Sequence, residues 1–163
     1  DRKKEIFDED LYYLYTTQAH PMRTPHYRLD QMHVTTGTGQ NPRAEVLVYH
    51  YGSNQGVRET ATGDGPVDAI YRAIDNATGS HHNLDSYSIR SVTEGADAMG
   101  EVTVLLSYGG AFFRGVARNT DVLRASADAY IEGLNQLEAF RADQGSIAFV
   151  TGGIMQSFQG GIA

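Results

Sequence analysis

The segment Gly63-Asp64-Gly65-Pro66 has the composition of a turn that can receive an anion. Glycines ahead of a helix let backbone amides approach a ligand closely, and the helix N-terminus favours negative charge, so a carboxylate or a phosphate fits there. No Gly-Lys-Ser/Thr follows, which excludes a P-loop, and the dinucleotide-binding fingerprint is absent too. An ordinary strand-to-helix turn is the simplest alternative. A second polar cluster, Thr93-Glu94-Gly95-Ala96-Asp97-Ala98-Met99-Gly100-Glu101, gathers three carboxylates among small residues. It reads first as a solvated hairpin loop, because calcium loops alternate their acidic ligands over about a dozen residues around a central glycine. Asn119-Thr120-Asp121 reads first as a helix N-cap and second as a polar group beside a ligand.

Nucleophilic and metal chemistry find little support. There is no Gly-x-Ser-x-Gly elbow and no cysteine. His81 and His82 are adjacent, so on a strand they point to opposite faces, and a surface loop is the better account of them. His20, His26, His33 and His50 share neither a helical face nor a recognisable ligand spacing. No metal or cofactor is expected in this chain.

The elements that must position these residues fit one domain, given 163 residues with 40% hydrophobic and 20% charged side chains. A net charge of -7 opposes nucleic acid and anionic lipid as partners. The lack of cysteine fits a reducing compartment, and a cytoplasmic location is expected. No stretch is long and apolar enough for a membrane span. Asp1-Arg2-Lys3-Lys4-Glu5 resembles neither a signal peptide nor a natural start, so the chain reads as a piece cut from a longer protein.

Asp8-Glu9-Asp10-Leu11 signals a first helix ending by Thr17, with Asp8 as cap and Phe7 and Tyr12 spaced as a hydrophobic staple. Residues 18–25 carry two prolines and read as a linker, which makes residues 1–25 a connector helix plus linker. From Tyr27 the apolar period becomes two. Strands are expected over residues 27–36, 44–51 and 57–62, then a helix in which Pro66 takes the first turn and Val67, Ile70, Ile74 and Ala77 form a stripe. The same order returns with strands at 84–93, 101–107 and 111–117 and a helix from Asp121 to about Phe140. Glu45-Val46 and Glu101-Val102, like Val67 and Val122, recur at an offset of about 55 residues, the mark of a duplication. The expected fold is α+β, with two β-β-β-α units at about 27–78 and 84–140 inside a domain spanning 26–140. Residues 141–163 are left as a glycine-rich tail of uncertain order.

Several ordered motifs carry a resemblance. Residues 64–69 (Asp-Gly-Pro-Val-Asp-Ala), residues 85–102 and the run Gly115-Val116-Ala117-Arg118-Asn119-Thr120-Asp121-Val122, followed by residues 125–130, look like the C-terminal regulatory domain of the 2-isopropylmalate synthases. The likeness covers roughly residues 26–140, and the opening 11 residues resemble the connector helix ahead of that domain. It implies a parent enzyme that condenses acetyl-CoA with 2-oxoisovalerate on a TIM barrel using a divalent metal, none of which lies in this chain. It also implies a homodimer that binds leucine for feedback inhibition. The similar domain of citramalate synthases senses isoleucine, and a dimerisation domain without ligand binding is the further alternative. The family commonly has Asn where Asp64 stands.

On that resemblance, the effector site comprises Gly63, Asp64, Gly65, Pro66, Val67, Ile70, Ile74, Leu84, Asp97, Ala98 and Asp121. Amides near Gly65 and Val67 would take the carboxylate, Asp97 or Asp121 the ammonium, and Val67, Ile70 and Ile74, with Leu84 and Ala98, the aliphatic group. A plain core stripe is the alternative for Val67, Ile70 and Ile74. Burying an isobutyl group contributes about 2 to 3 kcal/mol, against about 8 kcal/mol for micromolar binding, so polar contacts must supply most of the affinity.

Overall fold

Val46 and Val48 on one strand, and Val102, Val104 and Leu106 on another, are fully buried while the residues between them are not. That alternation sets two sheets against a common core. The computed structural model describes residues 14–15, 24–92 and 98–160, with side chains described for 24–92 and 98–144. The strands are β1 (Leu14–Tyr15), β2 (Tyr27–Gly37), β3 (Gln40–His50), β4 (Gln55–Thr62), β5 (Asn83–Ser91), β6 (Gly100–Tyr108) and β7 (Ala111–Asn119). The helices are α1 (Pro66–Thr78), between β4 and β5, and α2 (Val122–Gly160), after β7. One sheet has the order β2-β3-β4 and the other β1-β7-β6-β5; apart from β1, every pairing is antiparallel.

The two β-β-β-α units are therefore present with the same strand order. Each first strand also has a register shift near its start, at Leu29/Gln31 in β2 and at Leu84/Ser86 in β5, and β2 has a second at Thr35/Gly37. Tyr71 on α1 meets Ser126 on α2, and Asp75 on α1 meets Tyr130 on α2. Both contacts step four residues along both helices, so α1 and α2 run side by side in the same direction. Their N-termini share one end of the domain.

Small residues set how closely α2 approaches its sheet. A Cβ built on Gly115 of β7 would lie 1.8 Å from the Ala129 carbonyl oxygen and 2.8 Å from the Gly133 nitrogen. Only a glycine strand position lets the helix sit this near, and the gap is closed by Ala125, Ala129 and Leu106, all fully buried.

Three sequence expectations change. Within residues 8–17, where a helix was expected, Leu14–Tyr15 form a short strand parallel to β7, pairing with Phe112 and Phe113; the rest of that segment lies outside the described residues. An open strand edge offers unpaired backbone groups that a helix cannot use. Second, the turn between β2 and β3 is shorter than residues 37–42: β3 begins at Gln40 and holds Pro42 at an irregular start, where the missing N–H costs no ladder bond and the carbonyl accepts from the Gly63 N–H at 3.0 Å. Third, α2 continues to Gly160, beyond Phe140. The buried stripe stops near Phe140, but Arg141-Ala142-Asp143-Gln144 are acceptable helix formers and no proline follows Pro66, so the end of the stripe is not the end of the helix. Among the described residues no helix is long and apolar enough to cross a membrane.

Candidate functional site

The Gly63–Pro66 turn enters α1 through contacts that fix its shape. The Asp64 N–H donates to Asp68 Oδ2 at 2.9 Å, and the same carboxylate pairs with Arg72 Nε at 3.1 Å. Gly63 has no room for a side chain, since its Cβ would lie 2.4 Å from the Ala69 nitrogen and 2.7 Å from Asp68 Oδ2. Gly65 is different. Its φ of -143° is ordinary extended backbone, and a Cβ there would meet nothing within 4 Å. Neither backbone conformation nor packing within the chain demands glycine at position 65. The first amides of α1 have no intrahelical partner, and Pro66 at the first turn contributes none, so Val67 and Asp68 present theirs at this end.

The shared end of the domain collects part of the expected site. Asp64 is exposed there and Gly65, Pro66 and Val67 are half-buried. Asp121 is the N-cap of α2, its Oδ1 accepting from the Leu123 N–H at 2.9 Å, and it is exposed. Gly100 pairs with Asn119, which brings the β5–β6 connection to the same end; Ala98 is exposed on it, and Asp97 lies outside the described residues. Three expected residues do not gather there. Ile70 and Ile74 are fully buried in the core, leaving Val67 as the stripe member nearest the surface. Leu84, 44% exposed, starts β5 just after the C-terminal end of α1, a helix length of roughly 20 Å away from the turn.

Sequence reasoning missed Asp68, which holds the turn in shape, and a hydroxyl network between the units. Tyr71 donates to the Ser126 carbonyl at 3.0 Å and stacks on Tyr130 with ring centroids 4.0 Å apart. Tyr87 Oη lies 2.7 Å from Ser126 Oγ, which in turn donates to the Val122 carbonyl. Burial raises the pKa of Tyr71 far above the usual phenol range, so it stays a neutral donor. The available signal was the repeat offset: Tyr71 and Ser126, like Asp75 and Tyr130, occupy matching helix positions that face each other across the duplication.

On the outer face, Glu101 on β6 takes Arg90 Nε from β5 at 2.7 Å and Arg118 Nε from β7 at 2.6 Å. These two guanidinium bonds hold its carboxyl below the usual range, Arg90 first and Arg118 second. Among the described residues no cluster of three or more metal-ligating side chains exists. The arrangement offers an amide-lined helix start and an acidic cap at one end of the domain. The exposed amides favour an anionic group and the acidic cap a cationic one.

Residues 5–138 match the family model described as the LeuA allosteric (dimerisation) domain. The chain is also similar to a 2-isopropylmalate synthase of Salinibacter ruber (43% identity, covering 97% of this chain and 32% of that protein) and to one of Carboxydothermus hydrogenoformans (44% identity, 84% and 26%). A 2-isopropylmalate synthase of Neisseria gonorrhoeae is 39% identical, over 85% of this chain and 23% of its own length. The chain thus spans only about a quarter to a third of the relatives it matches.

Proposed function

Because the chain belongs to the LeuA allosteric (dimerisation) domain family, we propose that it is the module through which a 2-isopropylmalate synthase senses leucine and pairs its subunits. The observation that carries the effector reading is the contrast at the turn. Gly63 is required by packing inside the protomer, while Gly65 faces open space beside the free amides of α1. A leucine carboxylate fits those amides, and Asp121 at the same end suits its ammonium group. Ile70 and Ile74 are core residues, so the isobutyl group must lie against Val67, against the β5–β6 connection and against apolar surface that a second copy supplies.

The dimer reading rests on β5. On its inner face Leu84 and Ile89 remain 44% and 48% exposed. A second copy covers them, and a twofold contact buries each residue twice. At ~25 cal/mol/Å², side chains of this size contribute on the order of 1 to 2 kcal/mol each when covered.

Calorimetric titration of the chain with leucine, isoleucine and valine tests the effector, with leucine binding best. Gly65→Val fills the open space without backbone strain, so it weakens leucine binding at least about tenfold while stability moves by no more than ~0.5 kcal/mol. Unchanged leucine affinity in that variant removes the turn from the site. Preferential isoleucine binding favours the citramalate synthase alternative, and no heat with any of the three leaves a dimerisation domain alone.

A further inference from the structure

The joint between the repeat units is built from titratable and hydroxyl side chains. Tyr130 on α2 donates to Asp75 Oδ1 on α1 at 2.8 Å. His82, in the link from α1 to β5, places Nε2 2.6 Å from the same phenol oxygen, and its Nδ1 is 3.1 Å from Ser80 Oγ. One proton arrangement satisfies every member: Ser80 donates to Nδ1, Nε2–H donates to Tyr130, and the phenol donates to the carboxylate. Exposure differs sharply along this chain of bonds. The His82 side chain is 2% exposed, whereas that of Asp75 is 38% exposed, on the wall of a groove of about 790 Å³ that Asn76, His81, Asn83 and Tyr108 also line.

We infer that this cluster is a proton switch at the joint: a proton from the groove settles on the free oxygen of Asp75 and removes its charge, which relieves the desolvation of that carboxylate while turning the charge-assisted Tyr130 bond into a weaker neutral one. The inference needs neither the effector nor the dimer. A proton on His82 is the costlier alternative, since it buries a cation and forces the Ser80 hydroxyl to turn. The surroundings agree. Burial pushes Asp75 up to about 6, against the opposing effects of the Tyr130 bond and His81. Burial first, then Arg141 and His81, hold His82 below the usual histidine range. The other groups around the cluster are Tyr71, stacked on Tyr130; Tyr87 from β5, edge-on to Tyr71; and His50 from β3, bonded to the Ala77 carbonyl. Arg141 lies over Tyr108 and is paired with Glu138.

The two groups tilt stability in opposite directions. Asp75 has a folded pKa above its unfolded value, so its contribution is fully present below about pH 4 and is lost as pH rises through about 6. His82 has a folded pKa below its unfolded value, so the folded state loses ground as pH falls below about 6.5. The test combines NMR titration of the Asp75 carboxyl carbon with denaturant stability across this range for the 163-residue chain, Asp75→Asn and His82→Gln. Asp75 should titrate near pH 6, Asp75→Asn should become more acid-labile than the parent, and His82→Gln less so. Tyr130→Phe keeps the stacked ring and removes the bond that favours the charged form, so the Asp75 midpoint should rise. A midpoint in the ordinary aspartate range, or one unmoved by Tyr130→Phe, overturns the inference even if the other variants fail to fold.

Discussion

The two repeat units share a strand order and differ in what covers their first strands. In the first unit α2 reaches across to β2: Asn135 accepts from the His26 and Tyr27 N–H groups and donates to the Tyr27 carbonyl, and Arg124 donates to the Leu29 carbonyl. Leu29, opposite Val48, is 5% exposed as a result. In the second unit α1 offers β5 no such cover. The helix stops at Thr78, and among the residues facing inward on β5 only Tyr87, held between Tyr71 and Ser126, is half-buried. Leu84 opposite Leu106 and Ile89 opposite Val102 stay exposed. The connection between the first two strands differs as well, two residues between β2 and β3 against residues 92–99 between β5 and β6. Duplication has kept the scaffold and divided the work. One unit is covered by the other's helix and supplies the glycine turn, while the other keeps an open face and a long connection.

The largest expected effect lies where the units differ in packing depth. Opposite Val48 the first unit carries Val57, and opposite Val104 the second carries Gly115. Gly115→Ala forces Cβ into the Ala129 carbonyl, so we expect a loss of about 3 kcal/mol or more, or no folded protein, by urea denaturation. A fully folded variant of near-parental stability would mean that α2 does not press on β7 as described.

Next come the first strands themselves. Leu29→Ala should cost about 2 to 5 kcal/mol of fold stability, the usual range for a buried leucine. Leu84→Ala should cost well under ~1 kcal/mol in the monomer and should weaken self-association instead. Equal effects on stability at the two positions would erase the contrast.

Acid sensitivity sharpens the comparison further. Glu101 has a folded pKa below its unfolded value, so its stabilising contribution is present above about pH 4.3 and lost as pH falls through the folded value. Glu101→Gln should remove that part of the acid transition, measured by stability between about pH 2.5 and 5. The smallest effect is Tyr71→Phe, which loses one hydrogen bond to Ser126 and keeps the stacked ring, at about 1 kcal/mol.

Periodicity and the repeat offset made the two units legible, because buried strands alternate at two and amphipathic helices at 3.6 whatever surrounds them. Local pattern is silent on partners in space. It left both a core stripe and a ligand wall open for Ile70 and Ile74, and it could not tell that Leu84 sits at the far end of α1 from the glycine turn. It also placed the end of α2 where the apolar stripe stops, near Phe140, although helix formation needs no buried face at every turn. Of the site, the glycines were readable by type, and only the packing around Gly63 and the open space at Gly65 separate their roles.

The claim that the open face of β5 is completed by a second copy is tested most directly by sedimentation equilibrium of the parent chain and of the double variant Leu84→Asp, Ile89→Asp at micromolar concentration. The account predicts a dimeric parent and a folded, monomeric variant, since the inner face of β5 would then carry charge into the contact. A parent that sediments as a monomer, or a double variant that remains a dimer, would contradict it.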